Sequence, residues 1–160
     1  YKARLKFLQE NNITTADDLT ACMHQAESTV TQLAKQRTIL NVRKKKRKKL
    51  FDALAAEEAL AMSKALYEEG LSGMESEYAQ YAKAKATLDA CGISRQALTE
   101  EKADIYEQLA QLNKQIRAER QKIKLCREIA DSTAKMQQDI AAQEKSLHEK
   151  ETAHLLTNRR

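Results

Sequence analysis

Residues 19–40, LTACMHQAESTVTQLAKQRTIL, carry the clearest structural signal in the chain. Their apolar side chains recur in alternating steps of four and three residues, which is the spacing of a coiled-coil seam. We therefore predict a helix that packs lengthwise against another helix. The seam positions are Leu19, Met23, Ala26, Val30, Leu33, Arg37 and Leu40, with Arg37 as the one charged member.

The composition favours helices along the whole chain. Of the 160 residues, 42% are hydrophobic and 32% are charged, and the chain has no Pro and only three Gly. Sheet folds need many tight turns, which are built largely from Gly, Pro, Asn and Asp. The glycines fall in two places, Gly70 with Gly73 and Gly92 alone. We predict an all-α protein with long helices that carry coiled-coil seams and a short helix between two turns, in a helical hairpin or three-helix arrangement.

Four helices are predicted, at about residues 1–10, 16–69, 74–90 and 95–150. A capping box of Thr15 and Asp18 marks the start of the second helix. The last helix continues a seam through Ile105, Leu109, Leu112, Ile116, Glu119, Ile123, Cys126, Ala130 and Thr133.

The turns predicted at Leu71–Gly73 and Cys91–Ser94 determine how the helices are arranged. If both turns reverse the chain, the two long helices run parallel, and the short helix lies antiparallel between them. The chain opens in a helical pattern without an initiator Met. We expect residues 1–160 to form a single elongated helical domain that belongs to a larger protein.

The strongest candidate for a binding site is RKKKRKK, residues Arg43–Lys49, called the basic run below. It contributes +7 to a net charge of +5, so the rest of the chain sums to 5 − 7 = −2. The seam register meets Lys44 and Arg47 before it resumes at Phe51, so we expect the run to interrupt the seam. Like charges four residues apart oppose a helix, and nucleic-acid phosphates would offset that repulsion. The candidate residues are Arg43, Lys44, Lys45, Lys46, Arg47, Lys48 and Lys49.

Phosphate contact of this kind is strong, nonspecific and sensitive to salt. The basic run contains neither aromatic residues nor Asn or Gln, so base-specific recognition is not predicted. The alternatives are a solvated charge run and a nuclear-import signal.

A basic stripe in the last helix, at steps of three and four, is a second candidate. Such a stripe could extend a track of phosphate contacts. The alternative is that these residues flank a coiled-coil seam and pair with Glu across it. The stripe consists of Arg117, Arg120, Lys124 and Arg127.

The remaining residues suggest no catalytic site. Three cysteines without a C-x-x-C spacing favour neither a disulfide framework nor zinc, and Cys22 and Cys126 are predicted to be small core residues. We expect no enzyme activity and no metal, cofactor or small-molecule substrate. We also expect that the chain has no membrane span and that it works in a reducing, cytoplasmic setting. The isolated His24, His148 and His154 are expected to lie on the surface. The tyrosines Tyr67, Tyr78, Tyr81 and Tyr106 are expected to pack around the turn region with their hydroxyls in water.

Several segments of the sequence resemble the helical region that follows the nuclease domain in relaxases, the mobilisation proteins of conjugative elements from Gram-positive gut bacteria. They are residues 5–19, LKFLQENNITTADDL; 66–71, LYEEGL; 78–81, YAQY; and 99–106, TEEKADIY. Relaxases nick and hold single-stranded DNA with a tyrosine and a cluster of metal-binding histidines. Because this chain has no histidine cluster, the resemblance transfers no nucleophile to its tyrosines.

The resemblance implies a non-catalytic accessory module that engages transfer DNA or other transfer proteins. The alternative is a purely structural coiled coil that dimerises or docks a protein partner, in which the basic run meets an acidic protein surface.

Overall fold

A computed structural model describes residues 2–158, which form four helices and no strand. The helices are α1 (Lys2–Glu10), α2 (Ala16–Glu68), α3 (Glu75–Ala90) and α4 (Arg95–Asn158). The all-α prediction is confirmed. No helix within the described residues is long and apolar enough to cross a membrane.

The predicted helix boundaries agree with the structure except near the end of the chain. The last helix was expected to end at about residue 150, but α4 continues to Asn158. No Gly or Pro interrupts residues 95–158, so the two residue types that most disfavour a helix are absent from this segment. Residue 1 of the first predicted helix and residues 159–160 of the predicted domain lie outside the described residues.

The helices form two compact units. The first comprises the described parts of Tyr1–Thr31 and Ile116–Arg160, and the second comprises Gln32–Gln115. Both α2 and α4 therefore contribute residues to each unit.

The first unit packs α1 and the start of α2 against α4. Its core consists of Phe7, Ile13, Leu19 and Cys126. At the end of α1 the N–H of Ile13 donates to the carbonyl of Leu8 over 2.9 Å, and Asn12 has a φ of 54°. This is a Schellman ending with Asn12 in the left-handed region, a conformation that Asn tolerates better than most residues.

The predicted capping box at the start of α2 is confirmed. The Thr15 hydroxyl accepts a hydrogen bond from the N–H of Asp18 over 3.1 Å, and the Asp18 carboxylate accepts one from the N–H of Thr15 over 3.2 Å. The same carboxylate accepts from the N–H of Thr14 over 3.0 Å. The box therefore satisfies backbone N–H groups that the helix itself leaves unpaired.

The second unit buries the larger core. Its most enclosed side chains include Leu88, Leu98 and Ile105, each no more than 1% exposed. At the end of α2, Gly70 has a φ of 90°, and the N–H of Leu71 donates to the carbonyl of Leu66 over 3.0 Å. The remaining members of this core are Leu40, Phe51, Ala53, Ala84, Leu109 and Leu112.

The first predicted turn reverses the chain, but the second does not. Tyr78 of α3 stacks on Tyr67 of α2 with ring centroids 4.2 Å apart, so α3 runs back along α2. The helix α4 then begins beside Glu57, whose carboxylate accepts two hydrogen bonds of 2.7 Å from Arg95. In this unit α3 and α4 therefore follow one another in the same direction along α2.

The condition for parallel long helices, a reversal at both turns, is not met in the second unit. Arg95 pairs with Glu57 there, whereas Asn113 accepts a hydrogen bond from Arg37 over 3.2 Å. From the first pair to the second, the residue number rises on α4 and falls on α2, so the two helices are antiparallel. The physical reason is that Leu88 and Leu98, on the two sides of the break at 91–94, lie in one core. Their burial keeps the chain on the same side of α2.

The first unit shows the same antiparallel direction. One of its surface pockets is lined by Ala16 of α2 together with Thr133 of α4. Another is lined by Thr29 together with Glu119. Within this unit, too, later positions of α2 therefore meet earlier positions of α4.

Candidate nucleic-acid interface

The basic run lies within α2, in the second unit, and it does not interrupt the seam. Lys44 and Arg47 are partly buried, as are Leu33 and Arg37 before them, while Leu40 is fully buried. The four and three spacing therefore continues through the run, with cations at two of its positions. The structure corrects the expectation that the charges break the seam.

Glu101 of α4 is the carboxylate that pairs with both arginines of the basic run. The Nε of Arg47 donates to Oε1 of Glu101 over 3.2 Å, and Nη2 of Arg43 lies 3.9 Å from the same oxygen. The Glu101 side chain is only 23% exposed, against 46% for Arg43 and 37% for Arg47. These two arginines are therefore partly neutralised within the chain.

Lys48 is paired along its own helix. Its Nζ donates to Oδ2 of Asp52, four residues later, over 2.7 Å. The hydrogen bond from Lys48 to Asp52 raises the pKa of Lys48, and the negative charge of Asp52 adds to that effect. Because both side chains are exposed, water screens this pair.

Tyr106 of α4 brings an aromatic ring to the basic run. Nζ of Lys44 lies 4.8 Å from the ring centroid, and Nζ of Lys102 lies 5.9 Å from it. The ring lines an open cleft of about 270 Å³ together with Asn41, Lys44, Lys45, Lys48, Phe51 and Asp52. Tyr106 was predicted to lie around the turn region, but it lies beside the basic run instead. No local sequence pattern shows that α4 passes there.

Lys45, Lys46 and Lys49 form the outer part of the basic run, called the outer lysines below. All three are exposed, and within residues 2–158 no ion pair, hydrogen bond or ring contact involves them. Their positive charges are therefore available to an external anion.

The basic stripe belongs to the first unit. Its four members are all exposed, and Nη2 of Arg127 lies 3.6 Å from Oε1 of Glu27 on α2. This pair is the cross-helix contact that the coiled-coil alternative predicted for the stripe. Arg117, Arg120 and Lys124 make no such contact among the described residues.

The other singled-out residues form no reactive cluster. Tyr67 and Tyr78 stack at the turn as predicted, and Lys64 lies 5.3 Å from the ring centroid of Tyr81. Within residues 2–158 no group of His, Cys, Asp and Glu has the arrangement that a metal ion needs. His24, His148 and His154 are exposed.

Comparison with known proteins finds no family model, no curated protein and no solved structure that matches this chain. Membership of the relaxase family stays a prediction.

Proposed function

We propose that this chain is a non-catalytic helical module that contacts nucleic-acid phosphates through the outer lysines of the basic run. The observation that supports this most directly is the division of the run. Arg43, Arg47 and Lys48 have carboxylate partners in the chain, whereas the outer lysines have none among the described residues.

The outer lysines suit a polyanion for an electrostatic reason. Lys45, Lys46 and Lys49 lie within about one and a half turns of α2, at a rise of about 1.5 Å per residue. Three exposed ammonium groups this close repel one another, and phosphates relieve that repulsion while counterions are released from the nucleic acid. The neighbouring Tyr106 ring, 43% exposed, adds an aromatic surface beside the charges.

The test is a titration of a labelled DNA duplex of mixed sequence at several salt concentrations. Replacing Lys45, Lys46 and Lys49 by Gln lowers the net charge from +5 to +2. We expect weaker binding and a shallower dependence of log affinity on log salt. The slope should fall by about 0.9 for each phosphate that the variant no longer neutralises.

A charge-matched variant separates the site from the overall charge. Lys35, Lys114 and Lys135 are also exposed and make no ion pair within residues 2–158. Replacing these three by Gln changes the net charge equally and is expected to leave most of the affinity. An equal loss of affinity in the two variants would refute the proposed site.

The second candidate function is a purely structural coiled coil. It is favoured by the contacts of Glu101, since Arg43 and Arg47 use their charges to hold α2 and α4 together. Under this proposal the chain does not retard DNA even at low salt, and sedimentation shows a dimer built through coiled-coil seams.

A narrower proposal follows from the resemblance to mobilisation proteins. Under it, the module accompanies a DNA-nicking domain in one cytoplasmic polypeptide and engages transfer DNA or transfer proteins. A nuclease domain encoded in the same reading frame would support this assignment, and its absence from the complete frame would exclude it.

A further inference from the structure

Two cysteines from different helices meet in the first unit. Cys126 of α4 is 1% exposed and belongs to the core cluster with Phe7, Ile13 and Leu19. Cys22 of α2 packs against that cluster and is only partly buried. The two residues are 126 − 22 = 104 positions apart, yet Cys22 packs against the cluster that contains Cys126, and it is close enough to affect the pKa of that thiol.

The third cysteine provides an internal comparison. Cys91 lies in the second unit, where it caps the C-terminus of α3. Its thiol donates to the carbonyl of Leu88, with Sγ 3.0 Å from the oxygen. Within residues 2–158 no cysteine packs against Cys91 in its core. Cys22 and Cys126 thus share one core cluster, and Cys91 stands alone in the other unit.

We propose that Cys22 and Cys126 form a dithiol oxidation site that low-molecular-weight disulfides convert into a bond between α2 and α4. The oxidant is a small disulfide, with glutathione disulfide as the probe. The packing contact between the two helices, and the exposure of one thiol but not the other, support this assignment.

The reaction proceeds in two exchanges, and each releases one thiol of the oxidant. First, the thiolate of Cys22 attacks glutathione disulfide, which forms a mixed disulfide and releases one glutathione thiolate. Next, Cys126 gives up its proton and attacks the Cys22 sulfur, which displaces the second glutathione as a thiolate that takes up this proton. The two cysteines lose two electrons and two protons in total, and these reduce one glutathione disulfide to two glutathione thiols.

Access and the raised pKa of Cys126 both assign the first step to Cys22. Burial, and then the neighbouring Cys22, raise the pKa of Cys126 to about 11, although Lys122 opposes that change. Cys126 therefore remains a protonated, enclosed thiol near neutral pH, and a thiolate is the attacking species. Cys22 is the thiol that a dissolved disulfide reaches.

Oxidation would tie together segments that are far apart in the chain. A bond across 104 positions restricts the unfolded chain strongly, because loop-closure entropy increases with loop length. The expected consequence is a higher midpoint of urea unfolding for the oxidised chain, reversed by a reducing agent.

The experiment treats the folded chain with glutathione disulfide, blocks free thiols with iodoacetamide, and maps the products by mass spectrometry. We expect one alkylated cysteine, Cys91, and a peptide pair linked through Cys22 and Cys126. The linked pair should weigh about 2 Da less than the sum of its free peptides, for the two hydrogens removed. The variant Cys91→Ser should give the same link, and Cys22→Ala should lose it while circular dichroism shows unchanged helicity.

The same reaction in concentrated urea gives the products of the unfolded chain, which serve as the reference. There the three cysteines should link in a mixture of pairs, because no fold brings one pair together. The same mixture from the folded chain would overturn the proposal. Alkylation of both Cys22 and Cys126 after treatment of the folded chain would also overturn it.

Discussion

Arg47 of α2 donates from Nε to Oε1 of Glu101 on α4 over 3.2 Å, across 54 positions of sequence. Arg43 approaches the same oxygen at 3.9 Å. The Glu101 carboxylate thus uses the two arginines of the basic run for helix packing, whereas the outer lysines face solvent. This division is why the proposed phosphate contacts are assigned to the outer lysines and not to the whole run.

Replacing Glu101 by Gln should have opposite effects on stability and on nucleic-acid binding. The folded chain should lose less than about 1 kcal/mol, because Arg43 and Arg47 are partly exposed and water screens the pairs. Affinity for a DNA duplex should rise, because the two guanidiniums are no longer neutralised. The control is Glu100→Gln, which removes the same charge from an exposed neighbour. Equal effects from Glu100→Gln and Glu101→Gln would contradict this account.

Replacing Asp18 by Asn should weaken the start of α2 in a pH-dependent way. The hydrogen bond from the backbone of Thr14 is the main cause that holds the pKa of Asp18 below its ordinary 3.8. A lowered pKa in the folded state stabilises the fold above 3.8, and that contribution is lost as the pH falls through the lower folded value.

The measurement for Asp18 is urea unfolding followed by circular dichroism from neutral to acidic pH. The difference between the native chain and Asp18→Asn should be constant near neutrality and shrink below pH 3.8. Asp17→Asn is the matched control, since Asp17 is exposed in the same first turn. A difference that persists unchanged at low pH would show that the carboxylate charge is not responsible.

Replacing Glu57 by Gln should lower thermal stability at neutral pH. Hydrogen bonds from Arg95 are the main cause that lowers the pKa of Glu57 below its ordinary 4.5. The stabilisation is therefore present above 4.5 and disappears as the pH falls through the lower folded value. Differential scanning calorimetry of Glu57→Gln and of the neighbouring Glu58→Gln tests this. A smaller decrease for Glu57→Gln than for Glu58→Gln would refute it.

Truncating Leu98 to Ala should cost about 2–5 kcal/mol, because it removes buried methyl groups and leaves a cavity. Leu98 is 0% exposed in the core of the second unit, whereas Ile39 in the same unit is 62% exposed. Ile39→Ala should change the free energy of unfolding by no more than about 0.5 kcal/mol. Chemical unfolding measures the free energy of unfolding of both variants. Comparable losses would contradict the assignment of Leu98 to the core and of Ile39 to the surface.

The helices and their caps were predictable because their determinants are local. The seam spacing from Leu19 to Leu40, the capping box of Thr15 and Asp18 and the Asn12 ending each depend on residues within a few turns. The predicted seam even continues through Lys44 and Arg47, although their charge suggested an interruption. The predicted seam register was thus correct even at Lys44 and Arg47, where charged residues occupy seam positions.

The direction of α4 and the surroundings of the basic run were not predictable in the same way. Both turn regions contain Gly with positive φ, and local sequence does not distinguish a reversal at Gly70 from the continued direction after Gly92. Glu101 and Tyr106 lie more than 50 positions from the run that they contact. Only the antiparallel packing of α4 on α2 brings them there.

From its sequence alone, then, this chain determines that it is helical, where its helices start, and which faces are apolar, because backbone hydrogen bonds and side-chain periodicity act over short distances. The tertiary structure decides which charges remain unpaired. A guanidinium is neutralised only when a carboxylate from a distant segment comes within a few ångströms, and that depends on the direction in which the buried seams bring the helices together.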